Sequence, residues 1–192
     1  MKLTESMPVK FGRLEGVIYG GPFRHYVPGT RRLVAVKMAQ EIDHPHDIAV
    51  DTEDFSVPEV KVMQQGLMAA LKAFDEGKDV YAGCMGGTGR TGTFMGCMAK
   101  AMMDYDQENS DRSIKDPVAY VRAHYRKHAI ETQEQMNYVR TFDTAPVLEF
   151  LQQLQEARTV YVDRTVEVER IVYLGPVEWA MHQFSNLFRI QK

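Results

Sequence analysis

Cys84 is one of only two cysteines among 192 residues, and it opens a turn, YAGCMGGTGRTGTF (81–94), in which four of the next ten residues are glycine. A glycine-rich turn that runs into a helix makes an anion cradle, because successive backbone N–H groups and the helix N-terminus converge on one point. The nucleotide-binding form of this turn reads G-x4-G-K-[ST]. Here Cys84 stands at the first glycine and Arg90 at the lysine, giving C-x4-G-R-T. Loss of the lysine that acts on the β- and γ-phosphates argues against nucleotide hydrolysis. A planar guanidinium instead fits two oxygens of a single phosphoryl group. A cysteine beneath that group, in the field of the loop amides and Arg90, is expected as the thiolate, the nucleophilic form. A free thiol is about 3% ionised at neutral pH, so complete ionisation is worth only ~30-fold. The larger share of any catalysis must come from holding the phosphoryl group in line and stabilising its equatorial oxygens.

The elements around the turn follow from periodicity. LEGVIY (14–19), RLVAVKM (32–38), DIAV (47–50) and DVYAG (79–83) read as strands, and their near-continuous apolar character indicates a sheet covered on both faces. Between the last two, Val60, Met63, Leu67, Leu71 and Phe74 recur at helical spacing, with Pro58 at the start and Gly77 at the stop. TFMGCMAKAMMDY (93–105) is apolar nearly all round, which predicts a buried helix, and Cys97 on it is read as core. Residues 116–128, 132–142 and 147–157 are expected to be helical. Strands alternating with helices give an α/β fold: a central, mostly parallel sheet flanked by helices on both faces, with the glycine-rich loop between a strand and the buried helix. Residues 1–158 form the expected domain. From Thr159, a valine-rich segment and an amphipathic helix (159–192) are expected as an extension packed on the same domain.

Net charge is −3, with Lys and Arg scattered along the chain, which argues against nucleic acid as the main partner. The N-terminus has no apolar leader and no stretch reaches the length of a membrane span. Two cysteines are no disulfide framework, so a reduced, cytoplasmic setting without membrane association is expected.

C-x5-R followed by Thr, after a buried strand, resembles the signature of the cysteine-dependent phosphatases, the tyrosine and dual-specificity enzymes. DTEDFSVPE (51–59) resembles that family's general-acid loop, in which an Asp precedes a Pro by four residues, as Asp54 precedes Pro58. AIETQEQ (129–135) resembles the loop whose glutamine positions the hydrolytic water. The likeness covers roughly residues 14–151 and is nearest to the kinase-associated phosphatase type and small microbial relatives. It implies that Cys84 attacks phosphorus while the amides of Met85, Gly86, Gly87, Thr88, Gly89 and Arg90, with the Arg90 guanidinium, hold the oxygens. Asp54 would protonate the leaving oxygen, Thr91 would ease departure of the sulfur, and Gln135 would orient the water. The resemblance implies neither metal nor cofactor, and a phosphoprotein or phosphopeptide substrate. Gly83 stands where the family usually carries a histidine that braces the loop, and Glu131 where larger members often carry a glutamine.

Several residues admit more than one reading. Asp51 competes with Asp54 as the acid. His44, His46, Asp47 and Asp51 could be gathered round a metal, but HPHD in a loop is read as solvated surface. Arg122 and Arg126 are read as a solvated helical face, or else a docking patch for acidic substrate. For the whole protein, the alternatives to a protein phosphatase are a phosphatase for a small polyanion such as an inositol phosphate, and a non-catalytic phosphate-binding module.

Overall fold

Five strands form one sheet in the order β1-β2-β5-β3-β4: β1 (Ser6–Phe11), β2 (Leu14–Pro22), β3 (Leu33–Ala39), β4 (Ile48–Thr52) and β5 (Asp79–Cys84). The computed structural model describes residues 5–29, 32–106 and 115–158. β1 and β2 are antiparallel, and the other three pairings are parallel. β5, which delivers Cys84, lies at the centre and is buried along nearly its whole length. β1 was not among the strands expected from the sequence. It contains Pro8, and a strand can carry proline only where no neighbour needs its N–H, so it occupies an edge. Met7, Val9 and Phe11 alternate inward from it.

The two faces of the sheet are covered unequally. Helix α1 (Val60–Asp75) places Phe74 against Gly16, and α2 (Gly89–Asp106) sets Tyr105 edge-on to Phe11 at 5.5 Å. Gly16 and Phe11 lie on one face by strand alternation. The other face is covered by a 3₁₀ turn, Phe23–His25, whose Phe23 packs with Tyr26, Ala35 and Tyr81. α1 stops where the sequence indicated. Gly77 adopts φ +70°, Lys78 N–H donates to the Ala73 carbonyl and Gly77 N–H to that of Phe74, a Schellman closure.

α2 is buried on all sides over its first turns. Phe94, Met95 and Met98 are fully buried there, each contributing about 1.5–3 kcal/mol of apolar burial. That burial fixes the helix whose N-terminus closes the glycine-rich turn. α3 (Pro117–His124) is shorter than expected, ending before Tyr125 rather than running to 128. α4 (Gln133–Thr141) begins in a capping box made by Thr132 and Gln135, and residues 145–158 are helical. The chain divides into two units, Met1–Leu151 and Gln152–Lys192. The extension expected from Thr159 lies outside the described residues.

Candidate active site

The site is assembled at the C-terminal ends of β5, β3 and β4, where open parallel sheets present loops and helix N-termini together. β5 ends at Cys84, the loop curls over its sulfur, and α2 begins at Gly89. Gly87 N–H donates to Cys84 Sγ at 3.2 Å, so the sulfur lies inside the loop. Gly87 has φ +71°, and a Cβ there would come within 2.3 Å of the Gly21 backbone. The loop therefore folds down onto the end of β2, an approach only glycine permits. Thr88 carbonyl accepts from Gly92 N–H at 3.0 Å and turns away from the sulfur. The first N–H groups of α2 have no partner within the helix and face the loop.

Arg90 is 1% exposed, and the environment holds its plane from three sides. Its Nη1 donates to Glu41 Oε2 and to the Thr52 carbonyl, both at 2.8 Å, while Nη2 donates to Glu41 Oε1 at 2.6 Å. Nη2 is also 3.0 Å from Asp54 Oδ1. Burial alone would lower the Arg90 pKa, but Glu41, Cys84 and Asp54 outweigh it and raise it. Glu41 is held below its ordinary value, chiefly by its bond to Arg90. Arg90 Nε and Thr91 Oγ1 are buried and have no hydrogen-bond partner among the described residues. Two such donors carry a desolvation cost of about 1–3 kcal/mol each unless something accepts from them.

The two candidate acids separate clearly. Asp54 lies beside Arg90, with a largely exposed side chain that also accepts from Phe55 N–H at 3.1 Å. Asp51 points elsewhere and pairs with the buried Lys37 at 2.7 Å. Phe55 adopts φ +58°, a costly conformation for a bulky residue, immediately beside Asp54.

Gln135 is fully buried, and its amide is bonded at both ends. Oε1 accepts from Glu131 N–H at 2.9 Å and Thr132 N–H at 3.3 Å, while Nε2 donates to the Ser56 carbonyl at 3.1 Å. It thus caps α4 and ties the Asp54 loop to it through one of its two Nε2 hydrogens. Glu131 lies against the start of α2: a Cβ on Gly89 would meet its carboxylate at 2.5 Å.

The histidine-rich loop gathers round no common point. His44 packs its ring against Phe23 and Tyr26, His46 Nδ1 lies 2.9 Å from the His44 carbonyl, and Asp47 accepts from Ala35 N–H. Arg122 and Arg126, read as a solvated or a docking face, are half-buried and bonded to main-chain carbonyls. Arg122 donates to the Ala129 and Ile130 carbonyls at 3.0 Å, and Arg126 reaches the glycine-rich loop. Glu41 beside Arg90 was not indicated by the sequence, nor was the contact of Arg126 with the glycine-rich loop. Neither lies at a motif spacing from Cys84.

The structure matches that of kinase-associated phosphatase carrying a serine at its catalytic cysteine, with a TM-score of 0.50 at 12% identity, covering 74% of this chain and 95% of that one. The fold is that of the cysteine-dependent phosphatases. Among other structures with this phosphatase fold, the active form of Tk-PTP aligns at 24% identity with a TM-score of 0.46, covering 71% of this chain and 90% of that one. No protein-family model matches the chain. Two uncharacterized proteins of Methanocaldococcus jannaschii are similar in sequence. One is 33% identical over 90 residues, 47% of this chain and 50% of the relative. The other is 30% identical over 104 residues, 53% of this chain and 64% of the relative. The similarity thus spans about half to under two thirds of these relatives' length. No helix among the described residues is long and apolar enough to cross a membrane.

Proposed function

We propose that this protein is a phosphomonoester hydrolase acting on phosphoprotein through a phosphocysteine. The observation that carries the reading is the placement of Arg90, whose guanidinium is locked edge-on by Glu41 while the same group lies 3.0 Å from Asp54 and feels Cys84. A phosphoryl group bound by Arg90 and the loop amides would sit over Cys84 Sγ with its leaving oxygen near Asp54. The sulfur attacks phosphorus and the P–O bond breaks, while Asp54 gives its proton to the departing oxygen. Asp54, now a carboxylate, takes a proton from the water that attacks the phosphocysteine, and the thiolate leaves with inorganic phosphate as the second product. Thr91 hydroxyl and Arg90 Nε, both buried donors, would be taken up by the anion and the leaving sulfur. In this scheme Gln135 keeps the acid loop in place. Its Nε2 has a second N–H besides the one on the Ser56 carbonyl, and that N–H would be the one to orient the water.

Phosphoprotein is preferred over a small polyanion because the loop side chains, Met85 to Gly89, are uncharged and Glu41, Asp54 and Glu131 border the loop. A substrate with several phosphates would meet those carboxylates. Cys84→Ser tests the reading. It should still bind inorganic phosphate yet lose turnover of an aryl phosphate by about 10³-fold or more, because a serine hydroxyl has no comparable anion at neutral pH. Parent-like turnover in that variant would refute the mechanism.

A further inference from the structure

The loop from Met85 to Gly89 contains three glycines, so it has little of its own to select one conformation. Gly83 has no side chain with which to brace it from below. A Cβ at that position would lie 2.9 Å from both the Gly21 carbonyl oxygen and Phe23 Cα. The loop is held from above instead. Arg126 Nη1 donates to the Gly86 carbonyl at 2.9 Å, the Gly87 carbonyl at 3.0 Å and Thr88 Oγ1 at 3.2 Å. Tyr125 hydroxyl donates to the same Gly87 carbonyl at 2.5 Å. The other end of the Arg126 fork is anchored by Glu5, which accepts from Nε at 2.7 Å and also from Nη2.

Peptide geometry converts these contacts into a statement about the cradle. In a planar trans peptide, C=O and the following N–H point in opposite directions. Holding the Gly86 and Gly87 carbonyls outward therefore points the Gly87 and Thr88 N–H groups inward. Gly87 N–H is indeed found on Cys84 Sγ. α3 ends at His124, and Tyr125 leaves helical geometry at φ −111°, ψ −82°, which delivers two consecutive side chains to the loop. Space for the Tyr125 ring is made by Gly20, where a Cβ would lie 2.6 Å from it.

We propose that Arg126, anchored by Glu5 and assisted by Tyr125, is the positioning residue that holds the loop carbonyls outward and so keeps its amides aimed at the substrate phosphoryl group. The inference rests on the phosphatase reading above for what the loop binds. Arg126 acts through the loop and not on the substrate.

The test compares Arg126→Met, Arg126→Lys and Tyr125→Phe with the parent, measuring affinity for inorganic phosphate by calorimetry, kcat and KM on an aryl phosphate, and the urea midpoint. Arg126→Met should weaken phosphate binding about tenfold and lower kcat/KM by at least that factor under conditions where it is fully folded. Arg126→Lys keeps the charge but cannot span the three loop acceptors while paired with Glu5, so it should remain within about threefold of the methionine variant. A lower urea midpoint with parent-like phosphate affinity means a merely structural arginine and overturns the proposal. Full recovery of affinity in Arg126→Lys overturns it too, because charge alone would then suffice. Should Arg126→Met fail to fold, Tyr125→Phe removes one hydroxyl bond to the same carbonyl. About threefold weaker phosphate binding supports the clamp, and unchanged binding sinks it. A parent that binds phosphate but hydrolyses nothing refutes the hydrolase alone, with the clamp still decided by binding in the variants. A parent that binds no phosphate removes both.

Discussion

Asp51 lies on β4 and Asp54 three positions on, in the loop that follows, and their surroundings assign them different work. Asp54 is mostly exposed and 3.0 Å from the guanidinium that would hold the phosphoryl group, so it can reach a leaving oxygen. Asp51 is committed to Lys37, whose side chain is 8% exposed. A general acid matters most when the departing oxygen is strongly basic, because that oxygen must be protonated as the P–O bond breaks. Asp54→Asn should therefore slow phosphopeptide hydrolysis about 10²-fold or more while affecting an activated aryl phosphate much less. Asp51→Asn should show no dependence on the leaving group. Its cost is to stability, about 1 kcal/mol, because Lys37 loses its partner but Asp51 is nearly half exposed and solvent already screens the pair. Burst kinetics on the two substrates, with urea titrations alongside, separate the effects. Leaving-group dependence in Asp51→Asn and not in Asp54→Asn would move the acid to Asp51.

At the scale of elements, the closeness of β2 and β5 determines what position 83 can be. Gly83 pairs with Gly21 in the register of the two strands, and a Cβ would meet backbone atoms on either side of Pro22 together with the buried Phe23 ring. Gly83→Ala should cost about 2 kcal/mol or more through separation of the central strands. Urea unfolding checks it, and a loss below about 0.5 kcal/mol would mean that the strands yield freely. The same closeness explains what the sequence could and could not convey. Cys84, Arg90 and the helix behind them were legible because they belong to one short segment with fixed spacing and a single apolar pattern. Asp54 was legible from its distance to Pro58. Glu41 was not, because it comes from a loop after β3 and meets Arg90 only once the sheet has formed. Arg122 and Arg126 looked like one exposed stripe on an unbroken helix. The helix breaks at Tyr125, whose ring packs against Gly20 and whose hydroxyl bonds the Gly87 carbonyl, both in distant segments. β1 was hidden by Pro8, which only an edge position allows. Gln135 was singled out by its resemblance to a motif, but its part in the Thr132 capping box and its bond to the Ser56 carbonyl depend on how α4 and the Asp54 loop come together.

At the scale of the whole molecule, burial among the described residues favours the neutral forms of several weak acids, Tyr26 among them, and this weakens the fold at alkaline pH. Burial pushes the Cys97 thiol well above its ordinary value of 9.0. Burial also raises the hydroxyls of Tyr81, to about 12, and of Tyr125 and Tyr138. A raised value in the folded state means that the folded protein keeps a proton the unfolded chain releases. Below the unfolded values both states are protonated and the groups contribute their full share. As pH rises through 9 and then 10, the unfolded chain ionises first and stability falls, continuing until the folded groups themselves titrate. The expected profile is flat from neutral pH to near 9 and steep above 10. Tyr138 isolates one part of it, because its buried hydroxyl has no hydrogen-bond partner among the described residues. Tyr138→Phe removes an unsatisfied polar group and should raise stability at pH 7 by about 0.5–1 kcal/mol. It also removes a group whose ionisation favours the unfolded chain, so its advantage over the parent should widen between pH 10 and 11. Urea titrations of both proteins at pH 7, 9, 10 and 11 measure this directly. An advantage that stays constant across those values would show that Tyr138 ionises as readily in the folded protein as in the unfolded chain, and burial would not be what limits the fold at high pH.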